Sequence, residues 1–155
     1  MIVNRGQEAR ERTGAQRPAY QPIVASGLTG TKVLCVAEDL DFARDGLVPC
    51  LEQAGSSVDL RTMGGPLPIS ASLSRFQAIV FAIASDDTSN WARCAAARSA
   101  CTLPIMLVLH GAARACILRA LESGADSYVL APFDPREFLA RLAALKRRLP
   151  RAAQD

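Results

Sequence analysis

Short apolar runs recur along this chain with helix-length segments between them and never a hairpin-length connection. That alternation constrains the fold more than any other feature. KVLCV (32–36), FQAIVFAIA (76–84) and LPIMLVL (103–109) are near-continuous apolar runs, as strands buried on both faces require; SVDLRT (57–62) and SYVL (127–130) complete the set. Parallel strands need long crossovers whereas antiparallel neighbours accept tight turns, so the pattern predicts an α/β fold: a five-stranded parallel sheet with helices on both faces. In such sheets chemistry gathers at the carboxyl ends of the strands, which directs attention to residues 37–39, 82–87, 109–110 and 131.

The intervening segments carry helix punctuation. Asp39 or Asp41 can cap a first helix in which Phe42, Ala43, Leu47, Cys50, Leu51 and Ala54 recur at helical spacing, and Gly55 closes it. Pro49 inside that helix is expected to kink it. Pro66 and Pro68 confine the second helix to a short piece near 69–75. Ser89 is the expected cap of a third helix over about 90–99. The fourth is expected over about 112–123, ending at Gly124. The fifth opens with Asp134, Pro135 and Glu137 and runs to about 148, before Pro150.

Composition narrows the function classes. The net charge of +3, from sixteen Arg and two Lys against fifteen acids, is too mild to imply nucleic-acid binding by itself. No apolar run approaches the roughly 18 residues that span a bilayer, and no secretory leader is visible, so a cytoplasmic protein without membrane contact is expected. Five cysteines with no CxxC or CxxxH spacing suggest no metal centre; Cys35, Cys50 and Cys116 fall at apolar positions and read as small buried hydrophobes. Residues 1–30, polar and then Pro/Gly/Ser-rich, read as a flexible N-terminal extension ahead of a domain over 31–149, with 150–155 as a tail or the start of a linker.

The segments VLCVAEDLDFAR (33–44), LEQAGSSVDL (51–60), FQAIVF (76–81), LPIML (103–107) and RALESGADSYVLAPFDPREFLARLAALKRR (119–148) together resemble the receiver domain of bacterial response regulators. The resemblance is to CheY-like domains, and most to the receivers of OmpR/PhoB-type winged-helix regulators. It implies a flavodoxin-like (βα)5 sheet of strand order 2-1-3-4-5 and a place in two-component signalling. Receiver chemistry uses an aspartate nucleophile, two further acids that hold Mg²⁺, a Thr or Ser hydroxyl and a Lys. On this sequence the acid pair falls at Ala37 and Glu38, the nucleophile at Ala82, the hydroxyl at Leu109 and the lysine at Ala131. One carboxylate of the set remains. The resemblance therefore implies a degenerate receiver with no catalytic residues, metal or cofactor.

Asp86 and Asp87 follow the nucleophile position closely enough to be candidate displaced acceptors, or else loop residues that cap a helix. His110, the only histidine, reads as a satisfied structural residue. In the winged-helix family the face made by the fourth helix, fifth strand and fifth helix forms symmetric dimers. Ile117, Arg119, Glu122, Asp126, Tyr128, Glu137 and Arg141 fall on that face, with Ser127 and Ile117 replacing charged residues, so Glu137 and Arg141 are expected to lack cross-subunit partners. The expected partner is a protein, a second copy included. DNA is expected to be reached only through an output domain, because no recognition-helix pair or zinc spacing occurs in these residues. Two other readings stand beside this one: a phospho-receiver using Asp86 or Asp87, and a flavodoxin-like small-molecule binder using space beside Ala37, Ala82 and Ala131, although no GxGxxG or Walker loop is present.

Overall fold

A computed structural model describes residues 27–66 and 70–148 of the chain. Five strands, β1 Lys32–Ala37, β2 Ser57–Thr62, β3 Ala78–Ile83, β4 Ile105–Leu109 and β5 Ser127–Leu130, form one parallel sheet in the order β2-β1-β3-β4-β5. The expected α/β architecture and strand order are present. The apolar runs explain why β3 and β4 are central: all their residues are buried, whereas the edge strand β2 alternates Asp59 and Arg61 with apolar positions and is only half covered.

Helices cover both faces. The helix α1 (40–53) and α5, Pro135–Arg148, pack on one face, where Leu47, Leu51, Phe138, Leu139 and Leu142 meet Val33, Cys35, Val80 and Val108. The short α2, Ser70–Leu73, with α3, Thr88–Ala100, and α4, Ile117–Glu122, cover the other, where Trp91, Cys94 and Ala120 meet Phe81, Ile83 and Leu107. Burial of this apolar surface on both faces is the main stabilising term.

Several local expectations change. The helix is irregular on the approach to Pro49: α1 begins with an α-helical Leu40–Phe42, passes through a π-helical Ala43–Leu47 and resumes as α-helix at Val48–Gln53. Proline cannot donate to Asp45 one α-turn back, and the π register avoids demanding that bond, with Val48 N–H donating to Ala43 O. Asp87, not Ser89, caps α3, its carboxylate accepting from Ser89 N–H at 2.9 Å. The fourth helix is broken: a 3-10 segment, Gly111–Ala115, precedes α4, and Cys116 sits at the junction. Cys116 is therefore half-exposed rather than a buried hydrophobe.

Of the expected N-terminal extension, residues 1–26 lie outside the described residues, as do Pro68 and the tail over 150–155. Residues 27–30 belong to the packed domain. Leu28 is fully buried, its carbonyl accepts from the Ser56 hydroxyl at 3.0 Å, and Lys146 Nζ donates to Gly27 O at 2.9 Å. Gly55 must be glycine: its φ is +93°, and a Cβ there would stand 3.0 Å from the Thr29 Cα.

Candidate functional site at the carboxyl edge of the sheet

The strand order reverses between β1 and β3, so their carboxyl ends frame the switch point where α/β sheets bind ligands. Ala37 and Ala82 are register partners there. Glu38 continues the pairing, its N–H donating to Ala82 O at 3.0 Å. Three of the expected positions, Ala37, Ala82 and Ala131, are thus brought together on the α1/α5 face, and Ala131 N–H donates to Leu109 O at 2.9 Å. The Leu109 side chain itself packs into the core on the opposite face.

The chemistry of this edge is dominated by Glu38. Its Oε1 accepts the main-chain N–H groups of Ala84 (2.6 Å) and Ser85 (3.0 Å), and its Oε2 accepts the Ser85 hydroxyl (2.6 Å). Both carboxylate oxygens are therefore engaged by short, charge-assisted bonds. Methyl groups at 37, 82 and 131 and the isobutyl group of Leu109 add no oxygen and no cation. Mg²⁺ requires several oxygen ligands in near-octahedral array, and this donor set does not fit it. Among the described residues no group of three or more His, Cys, Asp or Glu is placed to hold a metal ion. Nor do the alanines open a ligand space: Ala37 and Ala82 are 0% exposed and Ala131 6%.

The same edge carries an aromatic pair that the sequence reading missed. The rings of Phe42 and His110 stack with centroids 3.7 Å apart and planes within 5°. Phe42 also packs against the core cluster that contains Ala37 and Ala82. The His110 main-chain N–H donates to Ile83 O at 2.9 Å, while its ring Nε2 is buried without a hydrogen-bond partner. It is thus not the satisfied residue expected. Burial holds the imidazole below its ordinary pKa of 6.5, against the opposing pull of Asp39 and Glu38.

The candidate acceptors have structural occupations. Asp86 Oδ1 accepts from the Trp91 indole N–H at 2.8 Å and from Arg119 Nη1 at 2.9 Å. Asp87 Oδ1 accepts from the Ser89 hydroxyl at 3.0 Å in addition to the capping bond. Trp91 and Ser85 were not singled out in the sequence. Ser85 meets Glu38, 47 residues away, and the Trp91 bond to nearby Asp86 gains its reach only through Arg119 on α4, so no sequence pattern marks either role. Burial pushes the Cys35 and Cys94 thiols up to about 12, which makes both inert at neutral pH.

On the expected interaction face, several charged side chains are paired within the subunit. Asp126 turns inward, accepting from Arg98 at 2.9 Å and from the Ile105 N–H at 2.8 Å. Arg119 is held by Asp86. Glu137 and Arg141, expected to lack cross-subunit partners, bind each other within the subunit one helical turn apart at 2.9 Å, and with Tyr128 they line a shallow cleft of about 300 Å³. Ile117 is half-buried and Glu122 exposed. The large exposed apolar side chains here are Leu118 (69% exposed) and Leu121 (47%), which the sequence reading did not name. Their signal was present: ILRAL places too many apolar residues around α4 for one buried stripe.

No protein-family model matches the chain. It is 29% identical over 120 residues to the response regulator ArlR of Staphylococcus saprophyticus, covering 77% of this chain and 54% of that protein. It is 30% identical over 115 residues to the transcriptional regulatory protein CreB of Escherichia coli K12, covering 74% of this chain and 50% of that protein. The chain thus spans about half the length of these curated relatives. Among solved structures, a two-component response regulator from Clostridium difficile superposes with a TM-score of 0.58 and 27% identity, over 76% of this chain and 97% of that one. Among the described residues, no helix is long and apolar enough to cross a membrane.

Proposed function

We propose that this response-regulator receiver of the CheY-like class, with OmpR/PhoB-type neighbours, works as a phosphorylation-independent signalling and protein-interaction module, in the cytoplasm and in transcriptional regulation. The observation that carries this reading is the closure of the switch point. At the expected nucleophile position stands the fully buried methyl group of Ala82, and the one remaining acid, Glu38, has both oxygens bound to the β3–α3 loop. A methyl group cannot accept a phosphoryl group, and a carboxylate whose two oxygens both already accept hydrogen bonds is a poor start for a Mg²⁺ site. Signal then enters through a protein partner or through abundance, and the domain catalyses no reaction of its own.

Incubation with radiolabelled acetyl phosphate and Mg²⁺, and amide NMR with beryllofluoride, test this directly. The expected result is no label and no shift at Ala82, Leu109 or Tyr128. Labelling that disappears in Asp86→Asn or Asp87→Asn would replace this reading with a displaced phosphate switch.

A homodimer through α4, β5 and α5 is the second element of the proposal. Leu118 and Leu121 supply exposed apolar surface on that face, while Arg119, Asp126, Glu137 and Arg141 are already paired within the subunit. Exposed ion pairs contribute only about 0–1 kcal/mol each, so apolar contact would dominate such an interface. Sedimentation of wild type and Leu118→Arg tests it. A concentration-dependent dimer that weakens in the variant is expected; a monomer at all concentrations in the wild type removes this element.

A further inference from the structure

We propose that the Glu38 carboxylate is a built-in anion that holds the β3–α3 loop, and through that loop α4, in one arrangement. The inference rests on the phosphorylation-independent reading and adds how the site is regulated. Successive main-chain N–H groups form a concave nest that favours an oxyanion, and Ala84 and Ser85 present such a pair with the Ser85 hydroxyl beside it. The chain fills this nest from within, using a side chain at the end of β1.

From the consecutive loop residues Ala84, Ser85 and Asp86, further hydrogen bonds run outward. The buried Asn90 of α3 donates through Nδ2 to Ser85 O at 3.2 Å. The Ala84 carbonyl accepts the Ala113 N–H at 3.2 Å, joining the loop to the 3-10 segment that leads into α4. One residue on, Asp86 ties together the Trp91 indole of α3 and Arg119 of α4 through a single oxygen. A loop clamped at one end by Glu38 and at the other by Trp91 and Arg119 has little freedom to place α4 in a second position. Loss of the carboxylate leaves two N–H groups and a hydroxyl without their acceptor, and the loop must rearrange or recruit another anion. Leu118 and Leu121 are carried on the helix that Arg119 anchors, so their presentation follows from the state of Glu38.

The chain contains one tryptophan, so the Trp91 indole N–H is a single resolved reporter. Glu38→Ala removes a methylene and the carboxylate, the atoms that acetate can return; Glu38→Gln keeps shape and one acceptor oxygen. Indole hydrogen exchange and amide shifts of Ala84, Ser85 and α4 are recorded for both variants, with acetate titrated against a chloride control. The expected result is a rise of roughly tenfold in indole exchange in Glu38→Ala, reversed saturably by acetate, with a smaller rise in Glu38→Gln. Changes confined to Ala84 and Ser85, with Trp91 and α4 unmoved, overturn the proposal, as does an effect that acetate and chloride reverse equally. If Glu38→Ala fails to fold, Glu38→Gln decides by the same indole readout. No phosphodonor is present, so failure here is separate from phosphoryl labelling of the wild type.

Discussion

Introducing an aspartate at Ala82 is the most direct challenge to the closed switch point. Ala82 is fully buried on β3, and the Glu38 main chain and carboxylate lie against its carbonyl and the two residues that follow Ile83. Ala82→Asp inserts a carboxyl group into filled space, which costs about 1–3 kcal/mol for overpacking. It also sets a second anion beside the first: at a separation of roughly 5 Å and an effective dielectric constant of roughly 20, repulsion is about 3 kcal/mol. The loss at pH 7 is therefore about 4–6 kcal/mol, a large share of the total stability of a domain this size. Because two like charges raise one carboxyl pKa, the folded state holds an extra proton, and the loss shrinks as pH falls toward about 5. Urea unfolding at pH 7 and pH 5, with and without Mg²⁺, measures both quantities. A variant within about 1 kcal/mol of wild type at pH 7 would refute the argument, since it would mean that the edge has room and compensation for a second carboxylate.

Other consequences are simpler to read. Burial holds His110 below 6.5, so its stability contribution is complete above that value and is lost as pH falls through the folded pKa; the single histidine should titrate below 6.5 by NMR, and His110→Phe should flatten stability across that window. Asp126→Ala leaves the buried Ile105 N–H and the Arg98 Nη1 without their acceptor and should cost roughly 1–3 kcal/mol in urea unfolding, whereas a residue serving only an interface would cost nothing in the monomer. Gly46 is exposed within α1, with open space where a Cβ would stand, so Gly46→Ala should raise stability by roughly 0.4–1 kcal/mol in thermal or urea unfolding.

The sheet was legible because its central strands are buried on both faces, which leaves near-continuous apolar runs such as AIVFAI that few other structures tolerate. The helix caps at Asp134 and Gly55 were legible for the same local reason. The site was legible only by position. Glu38 stood out as the one carboxylate at the expected acid pair, but its partner Ser85 is 47 residues away, and no local pattern announces that pairing. Phe42 reads as one more apolar helix residue until β4 delivers His110 beside it. Asp126 carries the charge expected of an interface, yet Arg98, 28 residues earlier, claims it. In each case a long-range contact decided the role, and side-chain type supplied only the candidates.

The wide turn in α1 has a consequence for insertions and deletions. Residues five apart on a regular α-helix diverge by about 140°, yet Phe42 and Leu47, five apart, both reach the same core cluster. The π turn supplies that alignment, as a helix does when it absorbs one surplus residue. Deleting exposed Gly46 would place the pair four apart and leave them aligned on an ordinary helix, but would press the Pro49 ring against an α-helical carbonyl. Replacing Pro49 alone would return an N–H that favours the tighter register and draws Phe42 out of step. The surplus residue and the proline thus form a compensating pair, and length variation in this helix can be interpreted only by considering both positions together.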